Sequence, residues 1–138
     1  MPHQTRKPLG QGLKCLADLH EWECKNIPFL QVSSARALYF TMIQRFLFEP
    51  PEKALPLKKF QACQTDRVAR MRIQEFEKMG LVTVSLSNDD GRTKTLAPTK
   101  KFFELIDVHT LQMQAKFSER FHIIKKDDSP KQTYRFKH

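Results

Sequence analysis

The chain has 138 residues and a mass of 16.2 kDa, is 40% hydrophobic and 28% charged, and so has the make-up of one ordinary domain with a real core. Its 24 basic residues against 15 acidic ones leave a net charge of +9, a balance that attracts polyanions, nucleic acid foremost. No stretch approaches the ~20 apolar residues of a membrane span, no apolar run of secretory-signal length opens the chain, and three cysteines without a C-x-x-C pair argue against a disulfide framework, so a cytoplasmic protein is expected.

Residues 1–12 hold Pro2, Arg6, Lys7, Pro8 and Gly10 without periodicity and read as a flexible arm. Over 13–24, Leu13, Leu16, Leu19 and Trp22 recur every three residues as a helical stripe, with Asp18, Glu21 and Glu23 off it. Pro28 ends that helix by disfavouring an α conformation at Ile27. Ser33 or Ser34 can cap the next helix, whose Ala35, Leu38, Tyr39, Met42, Ile43, Phe46 and Leu47 make it the centre of the core. Pro50-Pro51 stops it, and 52–54 is linker.

Pro56 suits a first helical position, and a short helix over 57–63 follows, with Leu57 and Phe60 inward. Cys63-Gln64-Thr65 forms the turn, and Thr65 is the N-cap of a second helix over 66–79. On that helix Ala69, Ile73 and Phe76 form the buried face, while Arg67, Met71, Gln74 and Lys78 lie opposite with Arg70 at the edge. Gly80 is placed as its C-cap residue. Alternating strands over 81–87 and 92–97 are joined by Asn88-Asp89-Asp90-Gly91, rich in residues that tolerate positive φ, which predicts a β-hairpin. From Thr99 to Ile124 a last helix carries Phe102, Ile106, His109, Met113, Phe117 and Phe121 at spacings of three and four. At 1.5 Å per residue it would run roughly 39 Å, too long for this core to cover, so a homodimer is expected. Residues 125–138 read as a basic tail.

The fold class is therefore mainly α with a small β-hairpin: a winged helix-turn-helix over 13–124, with a long C-terminal dimerisation helix. Its chemistry points to double-stranded DNA, where Lys and Arg neutralise phosphates and directed donors read base edges. Residues 56–103 hold ten basic residues against five acidic ones, which puts a positive excess on the motif itself. Arg67 and Arg70 can reach guanine bidentately and Gln74 can pair with adenine; Arg67, Arg70 and Met71 lie nearer the helix N-terminus than Lys78 and should reach deepest. Arg92 and Lys94 follow the hairpin tip, where a wing touches the minor groove or flanking phosphates. Asp89 and Asp90 oppose phosphate there, unless Asp90 orients Arg92 by a charge-assisted hydrogen bond. Lys58 and Lys59 are candidates for phosphate anchoring, Thr65 can both cap and contact, and Arg72 reads as a structural ion-pair partner.

Gly80-Leu81-Val82 after an amphipathic helix, Asp90-Gly91-Arg92, and Leu96-Ala97-Pro98-Thr99-Lys100 opening a long helix together resemble the MarR family. The resemblance covers about 33–124 and implies a dimeric transcriptional regulator, often a repressor released by small phenolic ligands or by oxidation. It places Arg67 and Arg70 at recognition-helix positions and Arg92 at the wing arginine. Ala97 stands where that pattern has Thr, and Lys101 where it has Gly.

Cys15 lies where some members of that family carry a peroxide-sensing thiol, but no basic cluster flanks it, and a buried small apolar role fits it better. His20 with Cys24 is a lone i, i+4 pair rather than a zinc site, and His109 on the apolar stripe reads as a satisfied interface residue. No phosphate loop, nucleophile elbow or carboxylate pair points to an enzyme, and no cofactor is implied. A winged helix used as a protein-interaction module, and a plasmid or replication initiator, are the alternative readings.

Overall fold

In the computed structural model the residues described are 10–49, 54–62, 64–86 and 93–121, the side chains of 119–121 excepted. The arm before Gly10, Pro50-Pro51, Cys63, the hairpin tip 88–91, Arg92 and the basic tail lie outside them. The chain divides into two compact units, one spanning Phe29–Leu105, the other joining the N-terminal segment through Pro28 to the segment from Ile106.

In the unit Phe29–Leu105, the apolar run after Val32 folds as α2 (Ser33–Ile43), with Ala35, Leu38, Tyr39 and Met42 buried. Neither Ser33 nor Ser34 caps it: Val32 is the cap residue and no side chain bonds the free amides. The Ser34 hydroxyl instead accepts from Arg72 Nε at 2.6 Å. The helix expected to continue through Leu47 widens after Ile43 into a π-helical turn, Gln44–Phe48, which buries Phe46 completely. Arg45 fixes this turn by pairing with Glu49 and donating from Nε to the Lys59 carbonyl at 3.1 Å.

The expected helix over 57–63 is a single 3₁₀ turn, Leu57–Phe60. Pro56 does not begin it as a helical residue; it lies in a two-residue strand, β1 (Leu55–Pro56), directly after the expected linker. β1 pairs antiparallel with β3 (Lys94–Pro98), Leu55 opposite Leu96, and β3 pairs antiparallel with β2 (Val82–Leu86), Val84 also opposite Leu96. The hairpin is thus part of a three-stranded sheet in the order β1-β3-β2. Leu96, flanked on both sides, is fully buried, as is Phe60 on the 3₁₀ turn. Phe60 packs on Phe46 with ring centroids 5.2 Å apart, and Phe46 on Phe102 at 5.8 Å. Phe29 meets Phe76 at 4.9 Å and Tyr39 at 5.5 Å. These aromatic rings join the helices to the start of the last helix, α4 (Lys100–Phe121), and their edge and tilted contacts add to plain area burial. The architecture is mainly helical with a small antiparallel sheet and is compatible with a winged helix.

The other unit contains α1 (Gln11–Asn26) and the part of α4 from Ile106. Its buried set on α1 is Cys15, Leu19 and Glu23, spaced by four. The expected stripe holds at Leu19 but is corrected at Leu13 and Leu16, which are 72% and 52% exposed. Glu23 tolerates burial because it meets His109 of α4, Oε2 to Nε2 2.7 Å, and the Trp22 ring stacks on the same imidazole at 6.0 Å. His109 is satisfied by a partner in its own chain. Cys15 is fully buried, its thiol directed at the Lys116 carbonyl 3.5 Å away. No helix among the described residues is long and apolar enough to cross a membrane.

Candidate nucleic-acid interface

The segment after Gln64 forms α3 (Asp66–Lys78), and its two ends are built by different chemistry. At the N-terminus the Thr65 hydroxyl accepts from the Val68 amide at 3.3 Å, the capping bond expected of it. Asp66 adds negative charge in the first turn, favourable against the helix dipole, and accepts from Gln61 Nε2 at 2.7 Å. At the C-terminus Gly80 turns left-handed with φ +80°. Leu81 N then donates to Phe76 O and Gly80 N to Glu77 O, the paired bonds of a Schellman motif. Lys101, standing on α4, donates to the Met79 carbonyl at 2.7 Å and brings a cation to the negative end of α3. Thr99 ties the same corner twice: its hydroxyl donates to Gly80 O at 2.6 Å and accepts from the Phe102 amide at 3.2 Å.

Between those ends the helix divides by face. Ala69, Ile73 and Phe76 are buried, as the sequence pattern predicts. Arg67, Arg70, Met71, Gln74 and Lys78 are all exposed, and at 100° per residue they fall within about a third of the circumference. α3 carries four basic residues against three acidic, so its net charge is small; what distinguishes the outer face is segregation. Arg72 leaves that face, bonding Ser34 Oγ and holding both Glu75 carboxylate oxygens at 2.8 and 3.0 Å. This is the structural ion pair expected of it. Asp66 sits 3.9 Å from Arg70 in an exposed pair, worth little in stability but able to bias the guanidinium.

Lys58 and Lys59 are exposed on the 3₁₀ turn, which Phe60 anchors in the core. Lys94 is exposed at the start of β3, opposite Leu86 of β2. Ser85 and Thr95 are linked across the same two strands at 3.3 Å. Arg92 cannot be placed with them, since it lies outside the described residues. The structure therefore brings Lys58, Thr65, Arg67, Arg70, Met71, Gln74, Lys78 and Lys94 into one unit.

The supporting residues were less visible in the sequence. Ser34 to Arg72 and Lys101 to Met79 are bonds across 38 and 22 residues, and no local periodicity announces them. In the other unit, Cys24 Sγ lies 3.5 Å from His20 Nε2, and His20 Nδ1 lies 3.8 Å from Glu23. No group of three or more His, Cys, Asp or Glu among the described residues could hold a metal ion.

Among solved structures the chain is similar to a "probable transcriptional regulator from Pseudomonas aeruginosa", at 10% identity and a TM-score of 0.42, the match covering 73% of this chain and 86% of that chain. No protein-family model matches the sequence, and no curated protein does.

Proposed function

We propose that the protein is a dimeric, sequence-specific, double-stranded DNA-binding regulator of the winged helix type, similar to MarR repressors, with no catalytic step of its own. α3 enters a major groove, and the β2–β3 hairpin lies over the adjoining minor groove with Lys94 at phosphate. Lys58 anchors the backbone beside the 3₁₀ turn. One observation carries the reading: a helix whose apolar seam is buried turns Arg67, Arg70, Gln74 and Lys78 together to solvent. Bulk charge alone would give phosphate affinity, whereas two guanidinium groups and an amide on one helix face also match the hydrogen-bonding code of base edges. The exposed Leu13, Leu16, Val108, Leu111 and Met113 support a second copy at the unit formed with α1.

The test is duplex binding followed across salt concentration, first with sites selected from a random pool and then with Arg70→Ala. Affinity should fall steeply as salt rises. Arg70→Ala should lose ~1–3 kcal/mol on the selected site and relax preference at one base pair. If that variant keeps both affinity and preference, α3 is not the reading helix. Association with a protein that ignores salt, with no duplex binding, would favour the interaction-module reading instead.

A further inference from the structure

Met71 is the one large apolar side chain on the outer face of α3, 43% exposed among cationic and amide groups. A thioether left in water there contributes nothing to the seam of Ala69, Ile73 and Phe76, which closes on the opposite side. Its helical neighbours decide what it can meet. Arg67 lies one turn before it, Arg70 beside it and Gln74 one turn after it, all exposed and all hydrogen-bond donors. A surface that presents donors around a single apolar spot complements a major groove in which acceptors surround a single apolar group. Among the four bases only thymine shows such a group there, its 5-methyl, next to the O4 acceptor. Cytosine offers an N4 amino donor at the corresponding edge, which a thioether leaves poorly satisfied.

Resting on the proposed reading of α3, we infer that Met71 is a specificity-determining residue that packs on the 5-methyl group of a thymine within the half-site. Arg67 and Arg70 take flanking acceptors, so the core of the half-site pairs a guanine with a nearby thymine. Met suits the contact because its unbranched, polarisable chain adapts to a methyl at the groove floor without a fixed ring geometry. The exposed position also makes the residue replaceable without loss of the fold, because it lies outside the buried seam.

The experiment replaces thymidine by deoxyuridine, one position at a time, in duplexes selected by the full-length protein, removing the methyl and leaving every hydrogen-bonding group in place. One position should raise Kd about fourfold, the value of burying one methyl. Met71→Ala should bind the thymidine and deoxyuridine duplexes equally, while Met71→Leu, still apolar, should restore most of the difference. Circular dichroism and the unfolding midpoint of each variant confirm that α3 is intact. Equal binding by wild type at every substituted position, or a thymidine preference that survives Met71→Ala, overturns the inference while leaving the reading of α3 standing. Failure of the wild type to enrich any duplex from the pool overturns both.

Discussion

At Gly80 and Ala62 the backbone takes the same left-handed turn with opposite residue choices, φ +80° and +54°. Gly80 ends α3 in a Schellman motif, and a Cβ there would meet only the Lys101 side chain, Cδ at 3.5 Å and Nζ at 3.9 Å, both ordinary contacts. The cost of Gly80→Ala is therefore conformational, ~1–2 kcal/mol, partly offset by a less flexible unfolded chain. Ala62 carries that penalty already, in the turn between Phe60 and α3, so Ala62→Gly should relieve it and stabilise by a smaller amount, below ~1 kcal/mol. Urea unfolding of the two variants should give midpoint shifts of opposite sign. Shifts of the same sign would mean that the turn at Ala62 relaxes by another route. The Glu23–His109 pair shows a different residue-scale rule: a carboxyl group only 3% exposed is buried against a specific hydrogen-bonding partner rather than against apolar side chains alone.

α3 is the element on which the two-faced argument can be tested directly. Ile73 lies in the buried seam, 3% exposed, and Gln74 beside it in sequence faces solvent. Ile73→Ala should destabilise by ~2–5 kcal/mol, the transfer loss plus a cavity. Gln74→Ala should stay within ~0.5 kcal/mol in stability while weakening selected duplexes. Measured on folded protein, well below the unfolding midpoint of each variant, denaturation and duplex binding should therefore rank the two in reverse order, and a common ranking under those conditions would show that the faces are misassigned. This element was legible beforehand because thirteen residues give several repeats of the helical period and both caps carry their usual residues. The 3₁₀ turn resembles a helix in sequence because its lysines have good helix propensity, while four residues are too few to show a period that would tell the two apart. β1, two residues long, had no alternation to detect and exists through pairing with β3. On α1 the leucine pattern locates the helix and one core residue, Leu19, but the rest of its seam is a thiol and a carboxyl, Cys15 and Glu23, which leucine spacing does not mark. The partner that makes Glu23 a core residue lies 86 positions away, beyond the reach of local pattern.

For the molecule as a whole, the described residues of the unit containing α1 and α4 from Ile106 expose several large apolar side chains. Leu111 is 63% exposed, Val108 lies one turn before it and Ala115 one turn after, an outward line at spacings of three and four. Leu13 and Leu16 add a pair on α1. An isologous contact between two copies covers such a line in one step, because a twofold axis brings the same patch to both sides. The proposed dimer would have a thermodynamic role beyond covering leucines. In such a dimer the second half-site contact would become an intramolecular one, gaining ~10²–10⁴ over a single copy if the spacing fits. Half-sites should then recur about one helical turn apart, ~34–36 Å. Light scattering on the eluting protein should report twice the 16.2 kDa chain mass, and Leu111→Glu should return it to one chain by placing a carboxylate in the contact. On a full two-half-site duplex that variant should lose binding far more than on an isolated half-site, where one α3 acts alone in either case. A wild type that stays at one chain mass at the concentrations where duplex binding saturates would remove the twofold contact, and equal losses on both duplexes would place Leu111 in the DNA contact rather than between copies.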